Sequence, residues 1–166
     1  MKYICQCCGE EKEDWPAIAY SAPYPYFDLS KEQLKNAELT PDLCIIKYSD
    51  ETCYFIRAVL VQEVIESCQD LEYGIWVSLS ENSFNQYVEN YDNKEFEGGY
   101  FGWLANYFPD YEFNETIPTD VFVDNKIGRP FVYPHESCEH SFVRDFYNGI
   151  SKEEAERRID IILKIN

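Results

Sequence analysis

Histidine is scarce in this sequence, and the signature motifs of several enzyme classes are missing. The 2 histidines, His135 and His140, fall in one predicted loop on either side of Cys138. Near neighbours in one loop rarely point at each other, so a cysteine–histidine nucleophile pair is disfavoured. There is also no phosphate-binding loop, dinucleotide-binding fingerprint or nucleophile elbow. The sequence leaves open whether the protein is an enzyme, and the missing motifs argue against it.

Basic clusters and long apolar runs are missing as well. The chain has 14 lysine and arginine residues and 31 aspartate and glutamate residues. The resulting net charge of -17 is spread over both halves of the chain. Such a surface repels nucleic-acid phosphates and anionic membranes and would suit a basic protein partner, although the same charge promotes solubility. No run approaches the roughly 20 apolar residues that cross a bilayer. We therefore expect neither nucleic-acid nor membrane binding.

No apolar signal-peptide core follows the first residues, so we expect a cytoplasmic protein. The 7 cysteines are an odd number, and cytoplasmic thiols stay reduced. Burial or metal binding is therefore favoured over a disulfide framework.

Aromatic residues, in contrast, are abundant. The 14 tyrosines, 11 phenylalanines and 3 tryptophans make up 17% of the chain, and hydrophobic residues make up 45%. A chain of 166 residues with this composition predicts one packed domain. Much of the aromatic surface belongs to the core, and the surplus is available to a binding surface or groove.

The clearest local pattern is a strand that runs directly into a helix. Apolar side chains alternate along 73–80, with Ile75 and Trp76 on opposite faces, which predicts a strand. Ser80 stands at an N-cap position, and an apolar stripe at helical spacing predicts a helix over 81–91.

The remaining elements follow from the same patterns. Further strands are predicted at 43–48, 53–62, 98–107, 116–123 and 130–134, with Gly102 allowing a close backbone approach or a bulge. Further helices are predicted at 30–39, at 138–148 and from Ser151 onward, and the two prolines of 21–26 predict an extended, non-helical path there.

These elements predict a single α+β domain with a mainly antiparallel sheet flanked by helices. Within it we distinguish an N-terminal cysteine knuckle and extended proline-rich segment at 1–27, a sheet core at 28–137 and C-terminal helices at 138–166. Trp76 and Trp103 are predicted to lie on neighbouring strands, in or beside the core.

Cys5 and Cys8 have the spacing of a zinc knuckle, and Gly9 follows them. Thiolates hold zinc in closed tetrahedral sites, but such a site has four ligands and no second C-x-x-C follows. The sequence therefore allows either a structural zinc ion or ordinary reduced thiols. The residues that could complete a zinc site are Cys44, Cys138 and His140, and also Cys53, Cys68 and His135.

Arg57 is the one charged residue in a predicted strand whose two faces are otherwise largely apolar, which indicates a central strand. A partly buried arginine needs a carboxylate or carbonyl partner. Arg57 is either paired within the sheet or binds an anion. In the second case Arg57, Trp76 and Trp103 form a candidate ligand site in an aromatic pocket.

Several segments together resemble a bacterial family, the domain of unknown function 2199. They are Cys5-x-x-Cys8-Gly9, Asp42-Leu43-Cys44, Phe55-Ile56-Arg57, Gly74-Ile75-Trp76-Val77-Ser78-Leu79-Ser80, Phe101-Gly102-Trp103-Leu104 and Gly149-Ile150-Ser151. The resemblance implies a bacterial, cytoplasmic, single-domain protein and carries no activity with it. Cys7 is an additional cysteine within the first of these motifs.

Two hypotheses about function follow. The first is a non-enzymatic protein-binding module of the immunity or adaptor type, which suits the small size, the acidity and the surplus aromatic residues. The alternative is a small-ligand binder or enzyme that uses an aromatic pocket with Arg57 as the anion anchor.

Overall fold

The computed structural model describes residues 2–4 and 8–165. Its strands are β1 Lys2–Ile4, β2 Glu11–Glu13, β3 Ile18–Ala19, β4 Glu38–Leu39, β5 Leu43–Lys47, β6 Thr52–Gln62, β7 Leu71–Leu79, β8 Glu97–Leu104, β9 Pro118–Asp124 and β10 Phe131–Pro134. Its helices are α1 Tyr24–Phe27, α2 Lys31–Asn36, α3 Glu81–Glu89, α4 Ser141–Asn148 and α5 Lys152–Ile165.

The long antiparallel pair of β6 and β7 is the centre of the main sheet. It extends from Tyr54 opposite Leu79 to Gln62 opposite Leu71. From β7 the sheet continues through β8, β9 and β10, and β10 returns to β6 where Phe131 lies opposite Val59. The sheet thus closes into a barrel flanked by helices. The predicted α+β class with a mainly antiparallel sheet is confirmed, whereas the closure was not predicted.

The main core fills the inner face of the sheet. Ile56, Ala58 and Leu60 of β6 pack there with Ile75 and Val77 of β7, all fully buried. Phe84 of α3, Phe142 of α4 and Ile159 of α5 join the same core. Burial of this much apolar surface is the main source of stability, at about 25 cal/mol per Å².

A second core lies on the outer face of the sheet. Trp76 is fully buried there with Phe55 and Cys44, and Tyr20 and Leu29 cover them. The Trp76 indole N–H donates to the Tyr20 carbonyl oxygen at 2.9 Å, so its polar atom is satisfied. The apolar pattern of β6 predicts cover on both faces. The structure covers its outer face fully at Phe55, whereas Arg57, Val59 and Val61 on the same face are half-buried.

A buried arginine attaches the last helix to the barrel. Arg158 of α5 is 7% exposed. Its guanidinium donates to Glu154 at 2.8 Å, to the Tyr73 hydroxyl at 3.3 Å and to the Tyr111 hydroxyl. A buried charge is tolerated when it is paired in this way, so we assign Arg158 a structural role.

Helix starts follow the predicted caps. The Ser80 side chain accepts from the Ser83 backbone N–H at 3.2 Å at the start of α3. Ser30 and Gln33 form the full capping box of α2. The helix α2 ends at Asn36, earlier than predicted, because the chain becomes extended and pairs Glu38 with Ile45 of β5.

Two other helix predictions were wrong as well. The prediction that 21–26 contains no helix fails, because α1 begins at Tyr24 with Pro23 as N-cap and Pro25 in the first turn. Proline is tolerated there since its missing N–H would have no partner in the helix. The helix α4 begins at Ser141 rather than at 138, because the His140 side chain caps it by accepting from the Phe142 N–H at 3.0 Å.

Within the described part of the chain, no helix combines the length and apolar character needed to cross a membrane.

Candidate functional site

The outer surface of β8, β9 and β10 carries a row of exposed aromatic side chains. Inward and outward residues alternate along these strands, and the inward ones are buried. The outward ones include four large rings that are between 42% and 53% exposed. They are Phe101, Trp103, Phe122 and Tyr133, and we call them the aromatic face. An exposed cluster of this kind on one surface is a candidate interaction site.

Strand register brings an acid into the middle of the aromatic face. Asp120 of β9 lies opposite Phe101 of β8 on one side and opposite Tyr133 of β10 on the other. The Asp120 carboxylate is 3.0 Å from His135 Nε2, and the His135 ring lies 5.6 Å from the Phe101 ring. An anionic group is therefore held between aromatic rings, a setting that attracts a cation.

Rings of the aromatic face contact each other along and across the strands. Phe101 and Trp103 pack edge to face with centroids 5.1 Å apart, and Phe122 and Tyr133 do so at 5.5 Å. Such pairs hold their rings in fixed orientations and add about 0.5–1.5 kcal/mol beyond area burial. The rings of the aromatic face are therefore held in place by one another.

The charges on this surface are negative. Glu97 and Asp124 lie opposite each other on β8 and β9, and Asp120 is on the same side. Within these three strands, all of whose residues the structure describes, no outward position holds a lysine or arginine. Like charges placed opposite each other on a sheet are unfavourable, and Asp124 is offset in part because its Oδ1 accepts from the Lys126 N–H at 3.0 Å.

A cleft opens next to Trp103. It has a volume of about 370 Å³, and its lining includes Trp103, Tyr24, Tyr107, Tyr54 and Ser78. The Tyr24 and Tyr107 rings lie 4.1 Å apart at its edge. The cleft and the aromatic face share Trp103.

The three residues of the predicted ligand site lie at two different places in the structure. Trp76 and Trp103 are on paired strands, as predicted, but Trp76 is fully buried in the second core and Trp103 is 42% exposed. Arg57 lies by Trp76, with its guanidinium carbon 6.0 Å from the indole centroid. Arg57 and Trp76 are therefore brought together, and Trp103 belongs to the neighbouring cleft.

Arg57 has no ion pair within the described part of the chain. Its side chain donates a hydrogen bond from Nη1 to the Pro41 carbonyl oxygen at 3.4 Å. The sheet-internal ion pair, which was one of the two alternatives for this residue, is not observed.

The predicted metal ligands are scattered. Cys5 lies outside the described residues, Cys8 is exposed near Glu10, and Cys44 is buried in the second core. Around His140, Nε2 contacts the Glu112 carbonyl oxygen at 2.6 Å while Nδ1 caps α4. The described residues contain no group of three or more His, Cys, Asp or Glu that could hold a metal ion. A zinc site that uses Cys5 stays a prediction.

The thiol of Cys138 is not activated. Burial, and the negative charge of Glu115, raise its pKa. Both His140 ring nitrogens are engaged elsewhere, as described above, so His140 is not available as the base of a nucleophile pair.

Sequence reasoning missed Phe101, Phe122 and Tyr133 as functional candidates. The alternation along 98–104 and 118–124 is visible in the sequence. Along 98–104 the alternation does not say which set is inside, because both sets contain aromatic residues. Along 118–124, Asp120 and Asp124 mark the set that contains Phe122 as the outer one, and this signal could have found Phe122.

Comparison with known proteins gives a family and nothing beyond it. A family model described as an uncharacterized protein conserved in bacteria (DUF2199) matches residues 4–150 of the 166-residue chain. No curated protein and no solved structure matches the chain. The match covers most of the chain and agrees with the resemblance seen in the sequence motifs. The protein therefore belongs to the bacterial family DUF2199.

Proposed function

We propose that the protein is a non-enzymatic protein-binding module, of the immunity or adaptor type, that binds a basic protein partner through its aromatic face. The observation that carries the proposal is the exposure of Phe101, Trp103, Phe122 and Tyr133 on adjacent strands. Tyrosine, tryptophan and phenylalanine are enriched in protein interfaces, where a few of them supply most of the binding energy.

Charge supports a basic partner. The chain carries a net charge of -17, and the outward positions around the aromatic face bear Glu97, Asp120 and Asp124. Complementary potentials steer association and select partners, while like charges repel. A second copy of this chain would bring the same acids against each other, so we exclude it as the occupant. The same charge leads us to propose that nucleic acids and anionic membranes are not partners.

Asp120 gives the interface a specific contact. A partner arginine placed between Phe101 and Tyr133 would lie against their rings and pair with the carboxylate. Arginine suits this position because its planar guanidinium stacks on aromatic rings and binds carboxylates through two N–H groups.

The reduced state of the cysteines is part of the same proposal. Cys44 is fully buried, and burial raises its pKa to about 12. A buried thiol with a raised pKa is chemically inert, as suits a structural cysteine of a cytoplasmic protein.

A displayed library of random peptides tests the proposal while the partner is still unidentified. The parent protein should enrich peptides of net positive charge that combine arginine with apolar residues. The double variant Phe101→Ser, Phe122→Ser should bind the enriched peptides at least about tenfold more weakly, since loss of a hot-spot aromatic costs about 2 kcal/mol or more. Asp120→Asn should weaken binding most at low salt.

The matched control is Leu163→Ser, which removes a 59% exposed apolar side chain from α5, outside the aromatic face. Its peptide binding should equal that of the parent. Enrichment of neutral or acidic peptides, equal binding by the double variant, or no enrichment would overturn the proposal. Concentration-dependent dimers lost in the double variant would assign the face to a second copy instead.

A further inference from the structure

Next to Arg57, the strand that is hydrogen-bonded to one edge of β6 changes from β5 to β10. The Arg57 backbone N–H donates to the Asp42 carbonyl oxygen at 2.9 Å, just before β5. The Val59 N–H donates instead to the Pro130 carbonyl oxygen at 2.8 Å, just before β10. The Arg57 side chain lies on the outer side of the sheet, on the same face as its cross-strand partner Trp76.

The hydrogen-bond donors of Arg57 are largely unused. A guanidinium has five N–H donors. Nη1 donates to the Pro41 carbonyl oxygen at 3.4 Å, and Nε is buried with no acceptor among the described residues. A buried donor without an acceptor costs about 1–3 kcal/mol. The chain has 31 acidic residues, yet Arg57 forms no ion pair with any that the structure describes.

The neighbouring carboxylate is engaged by other groups. Asp42 accepts from Arg129 Nε at 2.7 Å through one oxygen and from the Tyr91 hydroxyl at 2.9 Å through the other. The pKa of Arg57 is lowered by burial and by the charge of Arg129, and Asp42 opposes this in part. Arg57 and Arg129 thus place two positive charges near the single carboxylate of Asp42, and the local charge is positive in an acidic protein.

Gly74 and Trp76 of β7 shape the space that the Arg57 guanidinium occupies. A Cβ atom at Gly74 would lie 3.2 Å from Arg57 Nη2, so the absence of a side chain at Gly74 leaves room for the guanidinium to lie over β7. The Trp76 ring lies beside it, with the guanidinium carbon 6.0 Å from its centroid. Neighbours that restrict the guanidinium in the free protein lower the entropic cost of binding a ligand.

We propose that Arg57, supported by Arg129, binds a carboxylate group at this position. A carboxylate presents two oxygens in the planar geometry that a guanidinium recognises. Its single charge matches the single excess positive charge of the site, whereas a phosphate would bring more negative charge into an acidic field. The carboxylate belongs either to a small organic acid or to the carboxyl terminus of a peptide. This site is separate from the aromatic face and does not depend on it.

NMR of the tryptophan indole N–H groups tests the proposal, because the Trp76 ring lies beside Arg57. The Trp76 resonance is assigned by elimination with Trp15→Phe and Trp103→Phe. Titration with sodium acetate should shift this resonance to saturation with a millimolar midpoint, as suits a ligand of so few atoms. Sodium chloride at the same ionic strength should not give a saturable shift.

Arg57→Gln should weaken acetate binding at least tenfold, and Arg57→Lys should weaken it too, since lysine keeps the charge but not the planar fork. Gly74→Ala displaces the guanidinium without removing it and should also weaken binding. Arg144→Gln, at an exposed position of α4, is the control and should bind acetate like the parent. The dispersion of each spectrum reports that the variant is folded.

Two short neutral peptides of the same sequence show which kind of molecule supplies the carboxylate. One has a free carboxyl terminus, and the other is amidated there. Tighter binding of the free-acid peptide than of acetate by tenfold or more assigns the site to a protein terminus. Equal affinity assigns it to a small organic acid. The proposal would be overturned if acetate shifted the Trp76 resonance no differently from chloride. It would also be overturned if folded Arg57→Gln and Gly74→Ala bound acetate with the affinity of the parent.

Discussion

Gly102 of β8 lies so close to Ser78 of β7 that a Cβ atom on Gly102 would sit 2.9 Å from the Ser78 carbonyl oxygen. The same atom would lie 3.2 Å from Val121 Cγ2 of β9. Of the two alternatives that the sequence allows at this glycine, a close backbone approach or a bulge, the structure shows the close approach. It occurs where β8 joins β7, and it holds the strand that carries Phe101 and Trp103 in place.

Gly102→Ala is therefore expected to destabilise the protein by about 1–3 kcal/mol, the usual range for overpacking. Gly99→Ala, three residues earlier on the same strand, is the control, since a Cβ atom there would lie at an ordinary 3.9 Å from the Val121 carbonyl oxygen. Urea unfolding of both variants measures the difference. A Gly102→Ala variant as stable as Gly99→Ala would show that the strands separate without penalty.

Trp76→Ala should lower the free energy of unfolding by roughly 3–5 kcal/mol, as for other large truncations in a core. Trp76 is fully buried, and its indole N–H and its backbone N–H both have acceptors, Tyr20 and Asn106. Trp103→Ala is the comparison, because Trp103 is 42% exposed and should cost much less. Thermal melts within a degree or two of the parent for Trp76→Ala would contradict its place in the second core.

Stability should fall in acid through Glu154. Hydrogen bonds from Arg157 and Arg158 lower the pKa of Glu154 from 4.5 to about 2, although burial acts in the other direction. A carboxyl group whose pKa is lower in the folded state stabilises the fold above its unfolded pKa. That contribution is present above about pH 4.5 and is lost as the pH falls toward 2.

Glu154→Gln should accordingly be less stable than the parent at pH 7, and the difference should shrink as the pH is lowered from 5 toward 2, about the window between the two pKa values. Glu153→Gln is the control, since it removes a carboxylate from the same helical turn and keeps the bonds between Glu154 and the two arginines. Unfolding free energies from urea titrations at several pH values provide the measurement. A Glu154→Gln difference that stays constant over the range would refute this assignment.

Zinc binding by Cys5 and Cys8 remains a prediction, and the fold suggests a third ligand for it. The Trp15 N–H donates to Gln69 Oε1 at 3.5 Å, and Gln69 Nε2 donates to the Glu13 carbonyl oxygen at 3.2 Å. These bonds attach the N-terminal segment to the loop that contains Cys68. Cys44, in contrast, is buried in the second core.

We therefore predict that protein purified without chelator contains about one equivalent of zinc, and that Cys8→Ser and Cys68→Ser reduce it. Zinc content should also fall in acid, because the thiolates must be deprotonated to bind. Cys53→Ser is the control and should retain the metal. Elemental analysis gives the answer, and zinc far below one equivalent in the parent would leave these cysteines as ordinary thiols.

Local features of this protein were determined by the sequence. The alternation along 73–80 placed β7 correctly to within a few residues, because period-two burial is a property of the strand itself. The caps at Ser80 and Ser30 fixed the starts of α3 and α2, because a cap needs only residues within one turn. The central position of β6 followed from its two apolar faces.

Tertiary structure decided which of these features make candidate sites. Closure of the sheet, through the contact of Phe131 with Val59, joins residues far apart in the chain and has no local signature. That closure decides that Phe101 faces outward, since either alternating set of β8 can form its inner face. It also determines that Asp42 is bound by Arg129 and Tyr91, which leaves Arg57 without a carboxylate. Partner choice among charged groups depends on three-dimensional neighbours, and a sequence pattern does not contain them.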